Sequence, residues 1–533
     1  VSRSALAVAF LAAACASTPV EKALPKDGAQ TTPDTLAQWG TRPPPPLAPV
    51  PYVPLPELAP MTLVVVPVPQ KPIVSVRLVF RAGSVDDPPG REGLTALTTR
   101  VLVEGGTASL SSSALLDALY PMAAELSADT DKEFTTIAGR VHVDRFPRFL
   151  DILSEIFLAP RFDPNEVSRL KAEQLSNIRA RLRGENDEEL GKAGLDALLY
   201  AKHPYGHFTG GTEQGLNAIT LEEVKAHWRN VFTQDRLVIG LAGGVDDALA
   251  QRVKRALAPL PATGVARTPL PSAPGIRGAA LILERDTLST AGSFGFSTAM
   301  RRDQPAFFAW MMTLSYFGQH RQEHGVLFQE LREKRGLNYG TYAYAEHFRQ
   351  DGWSSMPLPN IARSEQDASV WLRPVEAKHG LFATRAVLYF LEQLRAGPIP
   401  AERFETARGF LIGATRQWVL TDQRRLGWAI DDALYGTPDF LGRLRQALET
   451  MTPDELQATA QRELSPEFFN FVFVTKDAEG LKAALVSQDP TPITYSSRKP
   501  AELLATDEQI ATTPIPVHPS LITVLPAAEF MRE

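Results

Sequence analysis

The chain has 533 residues, 44% hydrophobic and 22% charged, with a formal net charge of −6. Phosphate recognition needs a basic surface, so this balance argues against a nucleic-acid partner. No apolar run reaches the roughly 18 residues that a spanning helix requires, and a chain of this size accommodates roughly two to four domains whose cores stand without disulfides.

The N-terminal stretch VSRSALAVAFLAAACAS places Arg3 ahead of an apolar segment, Ala5 to Leu11, and small residues, Ala12 to Ala14, ahead of Cys15, the single cysteine. This order resembles a bacterial lipoprotein signal over residues 1–15, although Ala12 stands where such signals often carry Leu. It implies an exported chain held at the periplasmic face of a bacterial membrane by lipid on Cys15; an ordinary secretory signal with a chance cysteine is the alternative. Residues 16–58, with Pro43 to Pro46, Pro49, Pro51, Pro54 and Pro56, predict an extended tether rather than packed chain.

A first block spans 59–262. Its segments 62–68 and 73–80 are rich in β-branched residues and predict strands. Short helical segments follow within 90–106 and at 111–120, then a strand pair at 123–129 and 134–143. Helical periodicity covers 146–158, 164–181 and 221–231, with a strand at 236–242 and a helix at 246–257. After a proline-rich linker, 263–276, a second block at 277–497 repeats the order. It predicts strands at 280–283 and 292–296, helices at 306–314 and from 326, and strands at 339–344 and 368–373. Long helices at 377–394 and 401–420, a strand at 470–474 and a helix from 478 close it. Two blocks of roughly 210 residues in one element order read as an internal duplication. The predicted fold class is α+β: two homologous domains, each a mostly antiparallel sheet covered by helices on one face. Residues 498–533, rich in Pro and Thr, predict an irregular tail.

Four segments carry a family resemblance. They are Arg81-Ala82-Gly83-Ser84-Val85-Asp86-Asp87 with Gly90-Arg91-Glu92-Gly93-Leu94, then His203-Pro204-Tyr205-Gly206 with Gly211-Thr212, then the strand at 237–244. The fourth, the most specific, is Leu327-Phe328-Gln329-Glu330-Leu331-Arg332-Glu333-Lys334-Arg335-Gly336-Leu337-Asn338-Tyr339. Together, over about 60–490, they resemble the insulinase/pitrilysin zinc-peptidase family in its two-domain bacterial form. The resemblance implies a zinc site built on an inverted motif, His-x-x-Glu-His. Its two histidines share a helix face, its glutamate takes a proton from zinc-bound water, and a glutamate on a later helix is the third ligand.

In register, the motif positions hold Ala96, Thr99 and Arg100, and the third-ligand stretch holds Ser176 and Asn177, with Glu173 about a turn early. Ligands and base are absent together, and Arg100 brings positive charge to the place of a cation. No cofactor is therefore expected in this chain; zinc would belong to a partner subunit. A literal His320-Arg321-Gln322-Glu323-His324 lies in the second block, where Gly318 and Gly325 argue against a helix through both histidines. His203 and His207 read as parts of a structural loop, His142 as a surface residue, and 185–189 as a solvated helix start. Arg332 and Tyr339 are retained where relatives use an Arg and a Tyr to position the substrate carbonyl and stabilise negative charge. From the residues alone, Arg332 pairing with a nearby carboxylate and Tyr339 packing in a strand is the favoured reading; the resemblance is what points to a functional pair.

The expected function is a pseudoenzyme: a non-catalytic subunit that binds unfolded peptide and supplies Arg332 and Tyr339 to a homologous zinc-bearing subunit in a heterodimer. Two rivals stand beside it. One is an active zinc endopeptidase using His320, Glu323 and His324; the other is a cell-envelope scaffold without a peptidase role.

Overall fold

The computed structural model describes residues 43–350 and 352–533, so the predicted signal and Cys15 lie outside the described residues. The β-branched segments of the first block pair into a five-stranded sheet of β1 (Thr62–Pro67), β2 (Ile73–Phe80), β3 (Glu125–Thr130), β4 (Thr135–His142) and β5 (Leu237–Gly243). Their order is β1-β5-β2-β4-β3, with β1 parallel to β5 and the other neighbours antiparallel. The second block builds β6 (Ala280–Glu284), β7 (Ser289–Thr298), β8 (Thr341–Tyr344), β9 (Gln366–Glu376) and β10 (Asn470–Thr475). These take the matching order β6-β10-β7-β9-β8, again with one parallel pair, β6 with β10. Strand pairing is thus duplicated. The one addition is β11 (Ile522–Pro526), parallel to β6 on its outer side.

Alternate residues of a strand face opposite sides of the sheet. In the first domain Val74, Val76, Leu78 and Phe80 of β2 meet Leu237, Ile239 and Leu241 of β5 in one core. Helices Leu94–Glu104, Phe146–Leu158, Leu221–Val231 and Asp247–Leu257 close that core with their apolar stripes. The opposite face of each sheet is covered by a helix of the other domain. Leu426, Ile430 and Leu434 of helix Asp422–Tyr435 pack on Val79, Val238 and Ala242. In return, Leu190, Leu195 and Leu199 of helix Asp187–Leu199 pack on Leu281, Leu283, Val472 and Val474. This exchange adds a second cover to sheets predicted to be covered on one face, and it explains why all of β10 is buried. Glycine permits the close approach. A Cβ on Gly194 would lie 2.8 Å from Val472 Cγ1, and one on Gly240 would lie 2.5 Å from Ile430 Cδ1.

Two stretches depart from the prediction. Residues 43–58 run without helix, but they lie against the body rather than away from it. Val50 pairs with Ala273, Leu55 is buried beside Val79 and Ile430, and Arg81 donates to Leu55 O at 2.9 Å. Proline fixes an extended backbone whose carbonyls stay free to accept such bonds. The tail is not irregular either: Ala501–Thr512 is a helix, β11 adds a strand, and Phe530 is buried against the Asp187–Leu199 cluster. Its Pro and Thr content hid the apolar face of Ile510 and Ala511 and the β-branched run Ile522-Thr523-Val524. Among the described residues, no helix is long and apolar enough to cross a membrane.

Candidate functional site

Asp87 sets the start of helix Leu94–Glu104. Its carboxylate accepts from Gly93 N and Thr95 N, both at 2.7 Å, and from Thr95 Oγ1 at 2.6 Å, satisfying amides that the first turn leaves open. Gly93 adopts φ +100°, and a Cβ there would lie 2.8 Å from Gly210 O, so this turn requires glycine. Gln174 on the facing helix, Pro164–Ser176, ties the same loops by donating to Gly93 O (3.2 Å) and Gly210 O (2.8 Å).

The helix carries Ala96, Thr99 and Arg100 where the family resemblance places the zinc motif. Thr99 Oγ1 donates to Thr95 O (2.9 Å) and accepts from Thr130 Oγ1 (3.2 Å). Arg100 crosses to the second helix. Its guanidinium donates to Glu104 at 2.9 and 3.1 Å, to Glu173 at 2.7 Å and to Leu170 O at 3.2 Å. Arg169 holds Glu173 from its own helix at 2.6 Å. These bonds, the one from Arg100 above all, hold the Glu173 carboxyl below its usual range. A zinc ion here would meet a methyl group, a hydroxyl and a guanidinium, so the residues do not fit the metal. An ion-paired arginine joins the two helices instead.

Ala96, Thr99, Arg100 and Asn177 line a chamber of about 500 Å³ between the domains; Ser176 does not. Asn177 begins a π-helical stretch, Asn177–Glu185, that continues the Pro164–Ser176 helix. The near wall also includes Ala128 to Asp131 at the end of β3, the outermost strand of its sheet. The far wall is Arg349, Arg363, Asp367, Ser369 and Trp371 of the second domain. Ion pairs cross between the walls. Arg349 meets Asp129 at 2.7 Å, and Arg363 meets Asp131 at 2.8 and 3.0 Å. Buried Lys132 donates to Tyr205 O (2.7 Å) and His207 O (2.6 Å) and lies 3.5 Å from Asp196. Lys192 sits 3.3 Å over the Trp371 ring and 2.6 Å from Glu189. Sequence reasoning missed this far wall. Its signal was the polar alternation of Asp367 and Ser369 inside a strand, facing the charged hairpin tip Asp131-Lys132-Glu133.

His320, Glu323 and His324 lie in turns, and the two imidazoles diverge. His320 Nδ1 is 2.6 Å from the Tyr344 hydroxyl, among Tyr342, Phe348 and Trp371, whereas His324 packs on Phe410 with ring centres 4.7 Å apart. Burial pushes them down to about 3 and about 4 respectively. Among the described residues no three His, Cys, Asp or Glu side chains gather to hold a metal ion, and the two histidines of this motif have different surroundings. His203 lies 3.0 Å from Pro271 O, and His207 lies 3.4 Å from Asp87, both serving the loop. Arg332 lies in the last turn of the π-helical stretch Phe328–Glu333, 4.5 Å over the Phe328 ring and 3.7 Å from Glu333. Tyr339 stands in the turn before β8 and is 79% exposed. Neither lines the chamber, so the fold does not bring this pair to Ala96, Thr99 and Arg100 of the same chain.

The family profile described as Insulinase (Peptidase family M16) matches residues 63–206, and the one described as Peptidase M16 inactive domain matches 218–409. A Bacillus subtilis (strain 168) protein named "Uncharacterized zinc protease YmxG" is 23% identical over 279 residues, 52% of this chain and 66% of its own length. A Helicobacter pylori protein named "Non-peptidase homolog YmxG" is 28% identical over 192 residues, 36% of this chain and 44% of its own length. The chain thus spans less than two thirds of either relative. In fold, the crystal structure of a peptidase M16 inactive domain from Pseudomonas fluorescens matches with a TM-score of 0.68 at 21% identity, covering 79% of this chain and 98% of that one. With both halves matched by the family's profiles and its fold shared, the chain belongs to the insulinase family of peptidases, M16.

Proposed function

We propose that this chain is a non-catalytic partner subunit, which binds extended peptide and presents Arg332 and Tyr339 to a zinc-bearing homologue. Arg100 carries this reading. Its guanidinium, bound by Glu104 and Glu173, stands where a metal ligand would be, so the chain offers no seat for a metal-bound nucleophile there. Peptide binding is supported by β3, which among the described residues has no strand neighbour on its outer side and fronts the chamber at Ala128 to Asp131. An extended peptide adds to such an edge through main-chain hydrogen bonds. Tyr339 is exposed, and Arg332 is half-exposed, within reach of a second chain. The name of the Helicobacter pylori relative accords with lost catalysis. Lipid on Cys15 would hold the assembly at the periplasmic face of a membrane.

The purified chain is expected to bind labelled unfolded peptide and to cleave none, with or without added zinc. Mixed with a zinc-bearing homologue it should support cleavage that falls when this chain carries Arg332→Ala or Tyr339→Phe. Chelator-sensitive cleavage by the isolated chain would overturn the proposal. Cleavage that survives both variants would leave assembly as the chain's contribution, the role of a scaffold.

A further inference from the structure

The walls of the chamber bear on which peptides enter it. β9 turns alternate residues, Asp367, Ser369 and Trp371, to the cavity. Around them the charged side chains pair off: Asp129 with Arg349, Asp131 with Arg363, Lys132 with Asp196, Lys192 with Glu189, and Arg100 with Glu104 and Glu173. Asp367 is the exception. It is 4% exposed, its Oδ1 accepts no hydrogen bond, and no cation among the described residues forms an ion pair with it. Burial first, and the neighbouring Asp196 next, raise its carboxyl; Arg363 and Lys132 act against this but are committed to other partners. A buried carboxyl without a partner is costly, so the group is poised to gain from an arriving cation. At the other end of the same strand face, about 13 Å away by strand rise, Trp371 already holds the ammonium of Lys192. The β9 wall therefore has two places suited to a cation, one filled by the protein's own lysine and one open.

We propose that the Asp367 end of the chamber is a subsite for a basic side chain, so that the chain selects peptides carrying lysine or arginine; this rests on the peptide binding proposed above. The ligand's ammonium or guanidinium donates to Asp367, whose carboxyl releases its proton to solvent as the pair forms. Trp371 stays occupied by Lys192, which leaves Asp367 to discriminate.

Fluorescence anisotropy with the full chain tests this, using two labelled unfolded peptides that differ only in lysine against norleucine. The lysine peptide is expected to bind about tenfold tighter, the gain of one buried charge-assisted contact. Asp367→Asn, nearly isosteric, should erase the preference by bringing the lysine peptide's affinity down to that of the norleucine peptide. Ser369→Lys, two residues along the same face, supplies a cation of the protein's own and should erase it with Asp367 intact. Equal affinities in the unaltered chain, or a preference that survives Asp367→Asn, overturn the subsite and leave peptide binding standing. Failure to bind either peptide overturns peptide binding and the subsite with it.

Discussion

Arg100 links helix Leu94–Glu104 to helix Pro164–Ser176 through Glu173, in a pair that remains partly exposed to water. Such a link contributes little, so Arg100→His alone should lose about 1 kcal/mol and gain no zinc. Ala96→His, Thr99→Glu, Arg100→His and Asn177→Glu together rebuild the inverted motif and its third ligand on the chamber wall. That variant is expected to hold zinc by elemental analysis and to melt higher in its presence. His320 supplies a second residue-level expectation. Burial pushes its imidazole down to about 3, so the folded chain keeps it neutral. The unfolded chain protonates near about 6.5. Above that pH the histidine's contribution is complete; as pH falls from about 6.5 towards 3, the unfolded state takes the proton first and stability drains away. His320→Gln should flatten the fall of the urea midpoint across that window, and an unchanged slope would refute the assignment. These residues were not equally legible. A missing ligand is a local fact, so Ala96, Thr99 and Arg100 were readable in sequence. Arg363 stands 232 positions from Asp131, and only the fold makes them partners.

Among the elements, several whose apolar side faces their own domain were legible, although helices Phe440–Thr450 and Pro453–Glu463, which also pack into their own core, were not read. Helices Phe146–Leu158 and Leu221–Val231 and strand β2 fall on the predicted residues, because a single buried stripe gives a clean period. Helix Asp187–Leu199 was legible only as an acidic start. Its inner face is interrupted by Gly191 and Gly194, which lie against Ser293 and Val472 of the other domain. Helix Asp422–Tyr435, the reciprocal cover, was not read from the sequence at all. Packing against the opposite sheet is therefore what these glycines serve. Gly194→Val adds bulk where a Cβ alone would stand 2.8 Å from Val472 Cγ1. It should destabilise the chain by about 1–3 kcal/mol through overpacking. Gly409, on helix Ala401–Gln417, has open space on its side-chain side, with nothing within 4 Å of the place a Cβ would take. Gly409→Ala should instead stabilise by about 0.5–1 kcal/mol through helix propensity. Opposite signs in urea denaturation would confirm that the cost belongs to the interface and not to glycine replacement as such.

For the whole molecule, the internal duplication was legible in the repeated order of elements, but the interlock of the two copies was not. Each sheet borrows the cover for one face from the other domain, so neither core is complete until both have formed. Asp131 and Arg363 test this coupling because the pair is buried between the domains, with side chains 4% and 2% exposed. Burial alone would raise the Asp131 carboxyl, but Arg363 beside it brings the group well below the usual range. Its contribution is therefore present above about pH 4 and lost as pH falls below that. Asp131→Asn leaves the guanidinium buried without its counter-charge and should cost about 3–5 kcal/mol, whereas removing both charges with Asp131→Asn and Arg363→Met should cost less. Because both domains depend on the shared interface, the single variant should still unfold in one calorimetric transition, shifted down as a unit. A shoulder in which one domain melts ahead of the other would show that the exchanged helices do not couple the two halves.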